Sequence, residues 1–299
     1  MLILLGSFLG LMILGVPVAI AMAVASLAFI LISGNVPDVI LAQRMIAGVE
    51  SFSLLAVPFF ILAGNLMNIA GVTGRIYAFA VALVGWMRGG LAQVNIIGSV
   101  IFSGMSGTAI ADAAGIGTIE IKAMKDEGYD AETAAAITAA SATIGPIIPP
   151  SLPMVIYGVS ADVSIGGLFL AGVIPGLLMA GLLMAMVVHV ARKRDLPRHP
   201  FPGAAQLWVA YKEAHWALMT PVILFGGMMA GIFTPTEAAA VATAYALVLG
   251  LFVYRSFALD DLPELVVQTV ETTGVVLALV MTAAALGWSI SPAIRWSSC

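Results

Sequence analysis

A short cluster of hydroxyls and glycines interrupts an otherwise apolar stretch of the chain. The cluster, residues 103–109, reads Ser-Gly-Met-Ser-Gly-Thr-Ala, and largely apolar arms flank it at residues 90–102 and 110–124. In hydrocarbon, every backbone group without a hydrogen bond is costly, so irregular backbone is tolerated there only when protein buries it or when it lines a cavity. If the chain lies in a membrane, this cluster must be an internal site.

A second interruption follows on the next apolar segment. Residues 143–151 read Thr-Ile-Gly-Pro-Ile-Ile-Pro-Pro-Ser, and three prolines in so short a stretch prevent a continuous helix. Two interrupted segments in one membrane protein are the best sequence indication of a substrate and ion site near the bilayer midplane. A simple proline kink is the alternative interpretation of the second break.

The composition indicates an integral membrane protein. Of the 299 residues, 61% are hydrophobic and 9% are charged, and mean hydropathy is +1.09, whereas about 25% of residues are charged in soluble domains. The apolar runs are continuous, which excludes the alternating pattern of a membrane β-barrel. The single cysteine, Cys299, excludes an intrachain disulfide and a thiolate metal site. We therefore expect an all-α, polytopic membrane protein.

The lengths of the apolar segments, and the polar stretches between them, predict how the chain is arranged in the membrane. Residues 2–32 form the first membrane segment, kinked or divided at Gly15-Val-Pro17, and an interfacial piece runs from Asn35 to Glu50. Each arm of residues 90–124 has only about 13 to 16 residues, which at ~1.5 Å per residue is too short for a hydrocarbon core ~30 Å thick. A re-entrant hairpin is therefore predicted there. Further apolar segments are expected at residues 52–70, 75–87, 134–157 (broken), 165–190, 216–233, 236–254 and 266–289.

A weak internal repeat divides the chain into two halves. Residues 15–26 resemble residues 231–243, since both enter a small-residue helix through a glycine and a proline. This predicts a first repeat over 1–195, a polar loop at 196–215, a second repeat beginning at 216–290 and an aberrant tail at 291–299. The basic cluster Arg192-Lys-Arg194, with Arg198 nearby, places the loop in the cytoplasm. Chance similarity between two Ala- and Val-rich helices is the alternative.

The hairpin tip offers oxygen ligands. Ser103, Ser106 and Thr108 supply hydroxyls, and Gly107 lets the backbone turn and present carbonyls. Hard cations prefer such ligands, and the start of the helix after Thr108 favours an anionic group. Close helix packing through small residues is the competing interpretation. In the second break, Gly145 and carbonyls freed by the prolines could face the same cation, with Thr143 and Ser151 adding hydroxyls.

Other polar residues have more ordinary interpretations. Asp112, one turn after Thr108, could neutralise a cation, carry a proton or cap the hairpin, and we favour a structural or supporting role beside the ion. Asn65 shares a helix face with Asn68 and is expected to bond across helices or to support the site. No Lys-Ser/Thr phosphate loop and no Ser/His/Asp set at one membrane depth are present. We therefore expect neither ATP coupling nor an enzyme.

Four motifs resemble one family. Residues 102–118 and 139–157 are similar to the first hairpin and the following broken helix of the large membrane subunit of tripartite ATP-independent periplasmic (TRAP) transporters. Residues 57–67 and 231–240 match the same family. The resemblance implies an inverted-repeat, elevator-type importer of the bacterial inner membrane. Such an importer takes an organic acid (C4-dicarboxylate, sialic acid or a similar carboxylate) and is driven by sodium, without an organic cofactor.

The resemblance also implies partners and site residues. The partners would be a small four-helix membrane subunit, a periplasmic binding protein and the lipid bilayer, with no nucleic acid. The implied sodium ligands are Ser103, Ser106, Gly107, Thr143, Gly145 and Pro149. The implied substrate contacts are Ser106, Gly107, Thr108 and Ser151.

The sequence departs from the family pattern near its end. Family members continue into a second hairpin and a second broken helix, which are absent after Ser291. We therefore expect a truncated second repeat that lacks the second sodium site and half of the substrate pocket. A non-transporting scaffold or an inactive truncated fragment is the rival hypothesis. A channel is disfavoured because the polar residues concentrate at two breaks instead of forming a continuous stripe.

Overall fold

The structure is a computed structural model that describes residues 1–33, 37, 39–194, 196–197 and 199–296, with residues 292–296 described by their backbone alone. Asn35, Arg198 and Cys299, named in the sequence analysis, lie outside the described residues. All regular structure in the described ranges is helical, which confirms the predicted all-α class. The helices are α1 (Leu2–Ile13), α2 (Val18–Ser33), α3 (Val39–Ala47), α4 (Ala56–Ile69), α5 (Val72–Val84), α6 (Gly90–Ser106), α7 (Ala109–Ala114), α8 (Ile116–Asp126), α9 (Ala131–Ala142), α10 (Leu152–Ser160), α11 (Ile165–Arg194), α12 (Gly203–Met229), α13 (Pro235–Val248) and α14 (Leu262–Trp296).

Several of these helices are long and apolar enough to span a bilayer. Within the described residues four stretches qualify by length and composition: Phe52–Ile69, Ile165–Arg194, Pro235–Val253 and Leu259–Ser291. Short 3-10 turns lead into the first and last of these, and a π-helical turn ends the third at Leu249–Val253. The chain is a polytopic membrane protein, as its composition predicts.

The first compact unit is made of the described residues within 1–54 and 270–296. The predicted division of its first apolar run is confirmed, because α1 ends at Ile13, α2 begins at Val18, and the two helices pack against each other. Gly15 adopts a left-handed φ of +79°, and Pro17 lacks the N–H that a continuing helix needs. The predicted interfacial piece is α3, none of whose residues is buried.

The second unit, residues 55–269, is organised around α6. Most residues of α6 are buried, and helices α5, α8, α9 and α11 pack around it. Polar side chains reinforce these contacts: Gln93 Nε2 donates to the Met184 carbonyl oxygen at 3.0 Å, and Asn95 Nδ2 donates to Thr138 Oγ1 at 2.8 Å. Ser141 Oγ also donates to Asn95 Oδ1. These bonds fix both α9 and α11 to the first arm of the hairpin.

The polar segment assigned to a loop at 196–215 is largely helical. Helix α12 begins at Gly203, so the connection after α11 is much shorter than predicted. Ala204, Ala205 and Gln206 are good helix formers, and the ring of Tyr211 lies 6.2 Å from that of Phe79 on α5. The charges that suggested a loop occupy the exposed face of this helix, as Lys212 does.

The predicted tail at 291–299 is also partly helical. The backbone of α14 continues to Trp296, and residues 297–299 lie outside the described ranges. Pro292 removes only one helical hydrogen bond, and Ala293, Ile294 and Arg295 are compatible with a helix. The absence of an apolar pattern in residues 291–296 therefore does not prevent a helical backbone there.

Candidate ion and substrate site

Residues 103–108, here called the first elbow, comprise the last turn of one helix and the short break at Gly107 and Thr108 that separates it from the next. Helix α6 ends at Ser106, and Gly107 follows with a left-handed φ of +63°, which glycine adopts at little cost. Thr108 then caps α7, because its Oγ1 accepts a 3.1 Å hydrogen bond from the N–H of Ala111. Helix α8 packs back against α6, so the two predicted arms form a helical hairpin.

Residues 143–151 form a second irregular segment, here called the second elbow. Helix α9 ends at Ala142, and α10 begins at Leu152, so the predicted break is confirmed. Ser151 caps α10 by accepting a 3.3 Å hydrogen bond from the N–H of Met154. Within the described part of the chain, the carbonyl oxygens of Thr143, Gly145 and Pro149 accept no backbone hydrogen bond. This segment therefore presents several carbonyl oxygens that remain available to a ligand.

The two elbows are in direct contact. The backbone N–H of Leu152 donates a 3.2 Å hydrogen bond to the carbonyl oxygen of Gly107. A Cβ atom on Gly107 would collide with the Pro150 carbonyl oxygen, and one on Gly145 would lie 3.1 Å from the carbonyl carbon and oxygen of Thr108. The close approach of the two backbones therefore excludes a side chain at Gly107 and would crowd one at Gly145.

Two serines on the first elbow are buried. Ser103 is fully buried, and its hydroxyl donates to the carbonyl oxygen of Ser99, so the lone pairs of its oxygen remain free to coordinate. Ser106 is 2% exposed, and its hydroxyl has no hydrogen-bond partner among the described residues. A buried hydroxyl without a partner is unfavourable unless a ligand or water satisfies it.

Residues 5–293 match the model of the tripartite ATP-independent periplasmic transporter, DctM component. This chain belongs to the DctM family. It is 48% identical over 284 residues to the sialic acid TRAP transporter large permease protein SiaM of Vibrio cholerae, covering 95% of this chain and 66% of that protein.

Other relatives of this DctM-family chain carry different substrate names. It is 39% identical to the 2,3-diketo-L-gulonate TRAP transporter large permease protein YiaN of Escherichia coli (97% of this chain, 68% of that protein). It is 35% identical to the C4-dicarboxylate TRAP transporter large permease protein DctM of Rhodobacter capsulatus (99% and 73%). The chain thus spans about two thirds of the length of these relatives.

The structure brings most of the predicted DctM-family site residues together, with one local difference. Ser103, Ser106, Gly107 and Thr108 lie on the first elbow, and Thr143, Gly145, Pro149 and Ser151 lie on the second. The difference is Thr143, whose side chain is exposed and whose hydroxyl donates to the carbonyl oxygen of Ala140. Its backbone carbonyl is therefore the oxygen of this residue that faces no backbone donor among the described residues.

The two residues predicted to support the site occupy different surroundings. Asp112 is 1% exposed in α7, and the hydroxyl of Ser99 lies close to its carboxyl group. Neither of its oxygens completes a hydrogen bond of good geometry among the described residues. Asn65 on α4 instead donates to Thr269 Oγ1 at 3.1 Å, and it is the adjacent Gly64 that packs against Ser106. The cross-helix bond expected for Asn65 is therefore present.

Sequence reasoning missed one buried acidic residue of this DctM-family hairpin. Glu120 on α8 is 1% exposed, although it stands just before the charged stretch that begins at Lys122. Its spacing of four residues from Ile116 and from Met124 places it on the apolar stripe of α8. This four-residue periodicity could have predicted the burial of Glu120. The charged residues that follow from Lys122 made the segment look exposed instead.

Proposed function

We propose that this chain is the membrane permease part of a sodium-gradient-driven importer for a small organic acid in the bacterial inner membrane. The observation that carries the proposal is the contact between the two elbows through Leu152 and Gly107. It gathers irregular, oxygen-rich backbone from two broken helical segments in one place, which is how secondary transporters build midplane sites.

Sodium is the coupling ion that best fits the groups available. The carbonyl oxygens of Thr143, Gly145 and Pro149 accept no backbone hydrogen bond within the described residues, and the Ser106 hydroxyl is buried without a partner. Neutral oxygens of this kind suit a hard cation. With Ser103 and Gly107 they make up the proposed ligand set, and a bound cation would satisfy the orphaned Ser106 oxygen.

The proposed substrate is an organic anion that carries a carboxylate. The names of the relatives above specify sialic acid, 2,3-diketo-L-gulonate and C4-dicarboxylate, which share this group. Thr108 and Ser151 lie at helix starts, where the helix dipole favours an anion. Both hydroxyls already cap those helices, so a carboxylate would have to share them or replace the capping bonds.

The proposed assembly contains a small four-helix membrane subunit and a periplasmic binding protein, as the name of the matching family describes a tripartite system. An inverted-repeat, elevator-type architecture is part of the proposal. Two observations support the repeat: Gly15 and Gly231 both adopt left-handed φ angles, +79° and +71°, and each precedes a small-residue helix.

Thermal unfolding of the purified chain in Na⁺ and in K⁺, at one ionic strength, tests the sodium site. A ligand that binds only the folded state stabilises it, by about 2.7 kcal/mol at 100 times its Kd. We expect Na⁺ but not K⁺ to raise the melting temperature. Ser106→Ala should abolish that rise, whereas Thr118→Ala, an exposed hydroxyl on the same hairpin, should preserve it.

The scaffold hypothesis predicts the opposite outcome. A folded wild-type chain with identical melting temperatures in Na⁺ and K⁺ would contradict sodium coupling. Uptake of a labelled carboxylate by cells that also express the two proposed partners then tests transport. Uptake unaffected by removing sodium, or by Ser106→Ala at equal expression, would reject the proposed function.

A further inference from the structure

The carboxyl of Glu120 is an anomalous group outside the elbows. It is 1% exposed, and neither carboxyl oxygen has a hydrogen-bond partner among the described residues. An ionised carboxylate buried without a partner is among the most unfavourable arrangements in a protein. In a membrane segment, such a residue is a functional candidate by default.

The immediate contacts of Glu120 are close and apolar. Its Oε1 and the Cδ1 atom of Ile116 occupy the space where a side chain on Gly98 would stand. Ile116 and Met124, one turn before and after it on α8, are both fully buried. A metal cation needs several oxygen ligands around it, and these contacts leave Oε1 against carbon instead.

The charges that face Glu120 do not neutralise it. On α7, Asp112 interacts with it and is acidic, and on α5 the half-buried Tyr77 interacts with it as a neutral phenol. Arg75, also on α5, is engaged elsewhere, since it donates to the Gly71 carbonyl oxygen at 2.8 Å and stacks on the Tyr254 ring. Helix α6 contains no ionisable residue, and the one on α9, Glu132, is exposed.

The basic residues of α8 itself lie on another face. Lys122 and Lys125 are exposed, whereas the buried face of α8 carries Ile116, Gly117, Glu120 and Met124. Among the described residues, the ion pairs are those of Arg194 with Asp130 and of His199 with Glu127, and neither includes Glu120. Among the residues that the structure describes, Glu120 thus has an acidic neighbour and no basic one.

We propose that Glu120 is a proton-binding site of the hairpin, protonated whenever α8 is packed against α6. A proton needs no further ligands around Oε1, and it removes the charge that both the apolar surroundings and the acidic Asp112 oppose. The proton couples pH to the packing of the second hairpin arm, because ionisation of Glu120 favours separation of α8 from α6. This proposal does not depend on sodium coupling at the elbows.

Infrared spectroscopy of the purified full chain in lipid nanodiscs tests the protonation directly. At neutral pH we expect the C=O stretching band of a protonated carboxylic acid, shifted by deuterium exchange. Glu120→Gln should remove intensity from this band, and Glu132→Gln, an exposed acid on the neighbouring helix, should leave it unchanged. A folded wild-type chain without the band, or a band that Glu120→Gln leaves intact, would overturn the proposal.

Thermal unfolding across pH supplies the second measurement. A folded chain that keeps this proton binds more protons than the unfolded chain does. The wild-type melting temperature should therefore fall as pH rises above the range in which the unfolded carboxyl ionises, and it should level off where the band is lost. Glu120→Gln, or Glu120→Leu if the amide does not fold, should flatten that fall. If Na⁺ at constant pH abolishes the band, a metal ion occupies the site and the proton assignment is wrong. An identical pH slope in wild type and both variants would also contradict it.

Discussion

The N–H of Leu152 donates a 3.2 Å hydrogen bond to the carbonyl oxygen of Gly107 and so joins two irregular segments 45 residues apart in the chain. One group is the first N–H of α10, and the other belongs to the left-handed residue that ends α6. Helix starts leave N–H groups without helical partners, so the bond satisfies one of them from the neighbouring elbow. It also fixes the distance between the two sets of proposed ligands.

Gly107→Ala tests how much this close approach matters. Its backbone has a left-handed φ, which costs an alanine about 1–2 kcal/mol. The new methyl group would also collide with the Pro150 carbonyl oxygen, at a further ~1–3 kcal/mol. We expect thermal unfolding to show a clear loss of stability and of any sodium response.

Gly128→Ala is the matched control for that substitution. Gly128 has a φ of +90°, but no atom of the described residues lies within 4 Å of the position of a Cβ atom. The variant should therefore show the backbone cost alone and keep the sodium response. If Gly107→Ala and Gly128→Ala lower the melting temperature equally, the contact between the elbows contributes nothing to stability.

Asn95→Leu tests the polar connection between α6 and α9. The amide donates to Thr138 Oγ1 at 2.8 Å and accepts from Ser141, and all three residues are buried. The substitution removes the amide as a hydrogen-bond partner of these two buried hydroxyls. We therefore expect the free energy of unfolding, measured by denaturant or heat, to fall by about 2–4 kcal/mol. Gln206→Leu, on the exposed side of α12, should change stability by less than ~0.5 kcal/mol.

Ile174→Asp tests whether the outer face of α11 contacts lipid. Ile174 is 76% exposed, within a run that also exposes Leu170, Leu177 and Leu178. A carboxylate near the middle of a spanning helix costs about 3 kcal/mol on insertion scales. The fraction of chain recovered in the membrane should fall sharply for Ile174→Asp and stay unchanged for Ile174→Leu. Normal insertion of the aspartate variant would place this face against protein or water.

Asp130 gives a prediction about acid stability at a solvent-exposed turn. The backbone N–H of Thr133, then its hydroxyl, and then Arg194 hold the pKa of this carboxyl below its ordinary value. A lowered pKa stabilises the folded chain above the unfolded pKa, and this contribution disappears as pH falls through the folded value. Asp130→Ala should therefore reduce the slope of melting temperature against pH in that acid range, and an unchanged slope would contradict the prediction.

The sequence predicted the location of both elbows but not all that surrounds them. Serines, glycines and prolines interrupt apolar runs visibly, since each has a local effect on backbone geometry. The polar start of α12 misled the loop prediction, because exposed charges on a helix resemble those of a loop. Glu120 was missed for a related reason, as its burial depends on the packing of α6 against α8 and not on its neighbours in sequence.

By itself, then, the sequence determined the membrane class, the helical architecture and the two breaks, because hydropathy and proline or glycine chemistry act over a few residues. Only the tertiary structure decided that Gly107 contacts Leu152, that Ser106 and Glu120 lack partners within the described ranges, and that the Thr143 side chain is exposed. These facts depend on which helices pack together over long sequence separations. No local pattern encodes which buried polar group meets which partner.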